Sequence, residues 1–127
     1  MSSVPFHYVD LRTFCYETED ERRVERALRQ FLPEEYPIER EVSEGHHGDR
    51  ILLLSARVER ADEIREVLAA LKDSPEIDAV RREVADRVDE DCSLFVRLDK
   101  QAAYRGAVRL GEGIQLRAKV EAYPAKR

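Results

Sequence analysis

The chain has 127 residues, of which 43% are hydrophobic and 39% are charged, and its net charge is −5. This length fits a single domain, residues 1–127, with a hydrophobic core of its own. The sequence has no run of about 18 apolar residues, which argues against a membrane-spanning helix. Its N-terminus lacks the basic and apolar regions of a secretion signal, so we expect a cytoplasmic protein.

The charge is distributed unevenly along the chain. Residues 97–127 carry eight basic and three acidic side chains, a net charge of +5, so that residues 1–96 carry −10. Positive charges that are concentrated in one segment repel one another, and a negatively charged partner relieves this repulsion. A surface for a polyanion and a merely solvated basic face both fit the charge alone. Arginine outnumbers lysine by 18 to 4, which favours bidentate contacts if the partner carries phosphates.

The N-terminal third predicts a strand followed by a helix. Residues 6–16 are rich in aromatic and β-branched side chains, and their alternation places Val9, Leu11, Thr13 and Cys15 on one face. Thr18 and Glu21 have the spacing of a capping box, and apolar residues then recur at helical intervals until Pro33. The sequence therefore predicts a first helix that begins near Thr18.

The middle of the chain predicts a hairpin followed by two helices. Residues 36–42 and 50–58 have the composition of strands, and the glycine-containing loop 43–49 joins them. Four consecutive apolar residues, Ile51–Leu54, indicate a strand that is buried on both faces and central in the sheet. Apolar residues between Ile64 and Leu71 predict a second helix, and Pro75 suits the first position of a third helix that continues to Val84.

The C-terminal part predicts two strands around a short helix. Residues 93–98 form one strand, and Asp99 is expected to cap a helix that ends at Tyr104. Residues 114–122 alternate apolar and polar side chains, which is typical of a strand that packs on one face. The resulting order is βαββααβαβ. We expect an α+β fold, a mostly antiparallel sheet with helices packed on one side.

The sequence has no pattern of catalytic or metal-binding residues. His46 and His47 are adjacent, so an extended backbone would point them to opposite sides, and no Cys-x-x-Cys or His-x-x-x-His spacing occurs. We therefore expect no metal, no cofactor and no enzymatic activity. A metal-dependent nuclease that uses Asp89 and Asp91 remains an alternative, although consecutive acids before a strand are more often solvated.

The predicted helix and strands near the C-terminus bring several basic residues onto the same side. In a helix from Asp99 to Tyr104, Lys100 and Tyr104 lie on the same side. Arg117 and Lys119 share the polar face of the last strand, which becomes one surface with Arg97 if that strand pairs with residues 93–98. The alternative is that Gln101 and Tyr104 are ordinary packing residues and that the arginines neutralise the acidic turn nearby.

Three segments resemble a family of small archaeal proteins that is described as RNA-binding. They are residues 44–48 (Glu-Gly-His-His-Gly), residues 97–104 (Arg-Leu-Asp-Lys-Gln-Ala-Ala-Tyr) and residues 117–124 (Arg-Ala-Lys-Val-Glu-Ala-Tyr-Pro). The resemblance extends over nearly the whole chain. It implies a fold similar to the double-stranded-RNA-binding domain and to ribosomal protein L5, and it implies an accessory role in the RNA exosome.

The sequence and the resemblance together predict a non-catalytic protein that binds structured or double-stranded RNA. A-form RNA is read mainly through its backbone and shape, so basic side chains that span phosphates are expected to carry the contact. The alternative is a subunit that docks on an acidic protein of an RNA-processing complex, and dimerisation through an edge strand is left open. The residues predicted to contact RNA are Arg97, Lys100, Tyr104, Arg105, Arg109, Arg117, Lys119, His46 and His47.

Overall fold

The structure is a computed structural model that describes residues 6–44, 48–72, 74, 76 and 93–120. Several sequence predictions lie outside these residues. They are the histidines His46 and His47, the third helix expected from Pro75 to Val84, the acidic residues Asp89 to Asp91, and the end of the last strand beyond Val120.

Five strands and three helices are described. In chain order they are β1 (Phe6–Tyr16), α1 (Glu21–Arg29), β2 (Glu39–Glu44), β3 (Arg50–Val58), α2 (Ala61–Leu71), β4 (Ser93–Asp99), α3 (Lys100–Tyr104) and β5 (Gly113–Val120). The strands form one sheet in the order β2-β3-β1-β5-β4, and each neighbouring pair is antiparallel. The predicted α+β class is thus confirmed.

The alternation of apolar residues determines which face of the sheet is buried. Val9, Leu11, Thr13 and Cys15 of β1 are all buried, as their spacing predicts. The buried residues of β5, Ile114, Leu116 and Ala118, pair with β1 on the same face. Helices α1 and α2 pack against β1 and contribute Val24, Leu28, Ile64 and Val67 to this core. Within the described residues the helices therefore cover one face.

Three local predictions need correction. Helix α1 begins at Glu21 with Asp20 as its N-cap, not at Thr18, because the Asp20 carboxylate accepts a hydrogen bond from Arg22 N at 2.9 Å. Strand β2 begins at Glu39, three residues later than expected. Strand β3 lies inside the sheet, but only alternate residues of its apolar run are fully buried, so its second face is not covered.

None of the helices in the described part of the chain is long and apolar enough to cross a membrane.

Candidate functional site

The face of the sheet opposite the helices, here called the open face, carries most of the charge of the four strands β3, β1, β5 and β4. Strand pairing arranges its residues in rows. One row runs Arg57–Asp10–Arg117–Phe95 and the next runs Ser55–Arg12–Gln115–Arg97, each crossing these strands in the same order. Lys119 lies one row further along, opposite Tyr8. The cations of these four strands on this surface are Arg12, Arg57, Arg97, Arg117 and Lys119, with the Asp10 carboxylate among them. On the neighbouring edge strand β2, Glu39 and Glu41 lie on the same face, opposite Ser55 and Leu53.

Asp10 holds two of these arginines in place. Its carboxylate accepts hydrogen bonds from Arg57 Nε at 2.7 Å and Nη2 at 3.0 Å, and from Arg117 Nη2 at 3.1 Å. The Arg57 guanidinium also stacks on the Tyr8 ring, 3.9 Å from its centroid. The hydrogen bond to Asp10 raises the pKa of Arg57 above its ordinary value. Two fixed positive charges around one carboxylate leave this cluster with a net charge of +1.

The second row is more exposed. Arg12 is exposed and donates from Nε to Gln115 Oε1 at 3.0 Å. The Arg97 side chain is 68% exposed, and the Glu112 carboxylate approaches its guanidinium to 3.8 Å from the following turn. The Glu112 side chain is itself 84% exposed, so water and salt weaken this pair. Arg12 and Arg97 are accordingly accessible to an anionic partner.

A shallow cavity of about 140 Å³ lies between the two rows. Phe95 forms one wall with its ring 43% exposed, and it lies opposite Arg117 in the pairing of β4 and β5. The remaining walls are polar and charged. The lining residues are Asp10, Arg12, Phe95, Gln115 and Arg117.

The expectation that Lys100 lies on the surface is wrong. Lys100 is 7% exposed, and its ammonium donates to Glu19 Oε1 at 2.8 Å and to the Phe14 carbonyl at 2.6 Å. Ala102 and Ala103 face the core, and Lys100 of the same short helix is turned inward with them. The Glu19 carboxylate, in the loop before α1, neutralises the Lys100 ammonium. Lys100 therefore belongs to the interior.

Tyr104 lies on the same side of α3 as Lys100, as its spacing predicts, and it binds the same carboxylate. Its hydroxyl donates to Glu19 Oε2 at 2.8 Å, and Arg23 covers its ring at 4.7 Å. Burial and the hydrogen bond to Glu19 raise the pKa of Tyr104 to about 12. Burial alone would raise the pKa of Glu19, but its hydrogen bonds with Lys100, Tyr16 and Tyr104 leave it below its ordinary value. Tyr104 is thus part of a packed, hydrogen-bonded cluster.

Arg105 and Arg109 lie outside the four strands that carry the rows of the open face. Both belong to the connection between α3 and β5, where Leu110 bridges Leu98 on the edge of β4 that faces away from β5. Arg105 is exposed at the end of α3, and Arg109 is 65% exposed and lies 3.9 Å from Glu76. The predicted set therefore divides. Arg97, Arg117 and Lys119 share one face because β5 does pair with β4. Lys100 and Tyr104 belong to the cluster around Glu19, and Arg105 and Arg109 belong to the connection between α3 and β5.

Sequence reasoning missed Arg57, Asp10 and Phe95 as members of this surface. The alternation along β1 places Arg12 on the face of the strand that points away from the core. The same alternation along β3 places Arg57 on that face. Their proximity to the C-terminal arginines follows only from the sheet order, in which β1 separates β3 from β5. Among the residues described, no group of three or more histidine, cysteine, aspartate or glutamate side chains could hold a metal ion.

This geometry defines a small α+β domain with an open basic sheet face, and comparison with known proteins gives its family. A family model described as RNA binding matches residues 8–120. The chain therefore belongs to this RNA-binding family. A protein of Pyrococcus abyssi named as an RNA-binding protein is 35% identical over 132 residues, which cover 95% of this chain and 86% of that protein.

Solved structures of similar proteins have the same fold. A DUF54 protein from Methanothermobacter thermautotrophicus is 41% identical, with a TM-score of 0.76 over 95% of this chain and 89% of that one. A protein from Archaeoglobus fulgidus, also assigned to DUF54, is 28% identical, with a TM-score of 0.80 over 95% of this chain and 91% of that one. The relatives named here are archaeal.

Proposed function

We propose that this protein is a non-catalytic RNA-binding module that holds structured RNA through the open face of its sheet. The observation that carries the proposal is the alignment of Arg57, Arg117, Arg12 and Arg97 in two rows across four neighbouring strands. Membership of the RNA-binding family favours RNA over other polyanions as the partner. The name of the relative from Pyrococcus abyssi supports the same assignment.

The physical properties of the open face suit a phosphate backbone. Neighbouring strands lie about 4.8 Å apart, so the rows from β3 to β4 extend roughly 14 Å, which is enough to approach several phosphates. Guanidinium groups contact phosphate oxygens in pairs of hydrogen bonds. Asp10 restrains Arg57 and Arg117 before any ligand arrives, which reduces the ordering cost of binding.

Recognition of structured RNA follows from the fixed geometry of such a surface. The major groove of A-form RNA is deep and narrow, so proteins contact duplex RNA mostly through phosphates and the shape of the minor groove. A rigid sheet with arginines at set positions fits this mode. We further propose that the protein serves an RNA-processing assembly, and the exosome association implied by the family resemblance stays a prediction.

A matched pair of triple variants tests the surface. Replacing Arg12, Arg97 and Arg117 by glutamine removes three charges from the open face, whereas replacing Arg22, Arg60 and Arg65 removes three exposed charges from the helices or their ends. We expect the first variant to bind an RNA hairpin at least about 10-fold more weakly at low salt, and the second to bind within about 3-fold of the wild type. Equal losses in the two variants would contradict the assignment of the open face.

A protein-binding function is the second candidate, and one observation favours it. Phe14 and Tyr16 are 39% and 50% exposed at one end of the open face, with ring centroids 6.4 Å apart. Exposed aromatic side chains often anchor protein interfaces. Capture of partners from cell extract with and without nuclease separates the two functions. Partners that persist after nuclease treatment and are lost in Phe14→Ala would establish a protein interface.

A further inference from the structure

We infer that Phe95 is a stacking platform for an unpaired nucleobase of the bound RNA. This inference rests on the proposed function. It states that the β4 edge of the open face binds an unpaired nucleobase of the RNA. It predicts that the protein prefers structured RNA with a bulged, looped or overhanging nucleotide over a fully paired duplex.

The position of Phe95 supports a stacking role. Its ring is 43% exposed on β4, although Leu94 and Val96 on the other face of the same strand are buried. The hydrophobic core therefore does not use this side chain. Every nucleobase has a π-face that can stack on an aromatic ring, and such stacking is the common way in which proteins hold unpaired bases.

The cavity beside Phe95 offers groups that recognise the edge and the phosphate of a nucleotide. Gln115 accepts the Arg12 Nε–H through Oε1, which leaves its amide nitrogen as a donor for a base carbonyl or ring nitrogen. Arg117 lies opposite Phe95 in the strand pairing, and Arg97 lies two residues further along β4 on the same face. When a base stacks on the Phe95 ring, Arg97 and Arg117 therefore lie close enough to contact the phosphates of the same nucleotide.

The charge around Phe95 favours a nucleotide over an apolar protein segment. Arg12, Arg97 and Arg117 each have a partner on the protein, but none of these partners uses all the donors of its guanidinium. An apolar partner would remove water from the remaining donors without replacing it, which is costly. A nucleotide combines an apolar ring with an adjacent phosphate, and both find a counterpart in this cavity. In an A-form duplex the bases stay stacked within the helix, so the ligand at this position must be unpaired.

The absence of tryptophan from the sequence provides a direct test. Phe95→Trp introduces a single tryptophan at the platform, which can be excited apart from the five tyrosines. Val42→Trp introduces one at an exposed position on β2 that faces away from the open face. On titration with a hairpin RNA that carries one bulged nucleotide, we expect the Phe95→Trp emission to be quenched in step with binding. The Val42→Trp emission should remain nearly constant.

Affinity measurements with an alanine variant complete the test. Phe95→Ala should weaken binding of the bulged hairpin by about 5- to 100-fold, while its affinity for a blunt-ended, fully paired duplex with the sequence of the stem changes by less than about 3-fold. Circular dichroism of each variant confirms that it is folded.

The outcomes separate the inference from the proposed function. Salt-dependent binding by the wild type with no quenching of Phe95→Trp, or with equal losses of affinity for the bulged hairpin and the fully paired duplex in Phe95→Ala, overturns the stacking role alone. Failure of the wild type to bind either RNA at low salt overturns the proposed function, and the stacking role with it.

Discussion

The Lys100 ammonium lies 2.8 Å from the Glu19 carboxylate, although 81 residues separate them in the chain. This pair joins the loop before α1 to the start of α3. Glu19 also accepts hydrogen bonds from Tyr104 and from the Tyr16 backbone, so the carboxylate is held from three sides. Lys100 and Tyr104 belong to residues 97–104, one of the three segments that carry the family resemblance, and through both side chains this segment stabilises the fold.

Replacing Lys100 by methionine tests this structural role. The variant keeps the apolar stem but removes the ammonium, so the Glu19 carboxylate loses its counter-charge in a largely buried setting. We expect the free energy of unfolding, measured in urea, to fall by about 2–3 kcal/mol. Arg97→Met removes the same charge from an exposed side chain and should change stability by less than about 0.5 kcal/mol. Equal effects of the two substitutions would contradict the role of the buried pair.

The raised pKa of Tyr104 predicts a loss of stability in alkali. Because the folded protein raises this pKa from 10 to about 12, folding favours the neutral phenol. That stability is fully present below pH 10 and is lost as the pH rises toward 12. Tyr104→Phe cannot ionise, so the difference in unfolding free energy between wild type and variant should shrink over this range. A difference that stays constant from pH 9 to pH 12 would contradict the coupling, and absorbance titration of the phenolate provides an independent check.

Gly113 allows β5 to pass close to α3. Its φ of +118° is unfavourable for any side chain, and a Cβ at this position would lie 2.4 Å from the Lys100 Cβ. We expect Gly113→Ala to lower the free energy of unfolding by about 2–4 kcal/mol. Gly48 also has a positive φ, of +78°, but a Cβ at that position would meet no atom within 4 Å, so Gly48→Ala should cost only about 1–2 kcal/mol. A smaller loss at Gly113 than at Gly48 would exclude the close contact.

Asp10 is the carboxylate that lies between Arg57 and Arg117 on the open face, and removing its charge should strengthen RNA binding. Asp10→Asn leaves an oxygen that can accept from Arg57 or Arg117 but raises the charge of the surface by one. We expect the affinity for an RNA hairpin at low salt to rise by about 2- to 5-fold. Asp62→Asn changes the charge equally on α2 and should have little effect. Weaker binding by Asp10→Asn would show that the carboxylate contributes more by positioning its arginines than it costs by repulsion.

Much of the fold could be predicted because β1 and β5 alternate clearly. The buried and exposed faces of β1 and β5 follow from their residues, and Asp99 does cap α3, where its carboxylate accepts from Gln101 N and Ala102 N. The burial of Lys100 could not be predicted, because a five-residue helix gives no strong periodicity and its partner Glu19 is remote in sequence. A lysine beside other basic residues resembles a surface residue until the fold brings a carboxylate to it.

The candidate site could be predicted only in part for a related reason. Arg97, Arg117 and Lys119 are close in sequence and share two neighbouring strands, so their grouping required a single assumption about pairing. Arg12 and Arg57 join them only because β1 lies at the centre of the sheet between β3 and β5. The basic surface therefore extends beyond the basic C-terminal segment into the part of the chain whose overall charge is acidic.

The dependence of RNA affinity on salt measures most directly whether the open face contacts phosphates. For the wild type, about four to five neutralised phosphates should make log affinity fall against log salt concentration with a slope of roughly −3.5 to −4.5. The triple variant at Arg12, Arg97 and Arg117 should reduce the magnitude of this slope by about 2–3, because each lost phosphate contact removes nearly one unit. A wild-type slope near zero, or an identical slope in the triple variant, would contradict RNA binding through this surface.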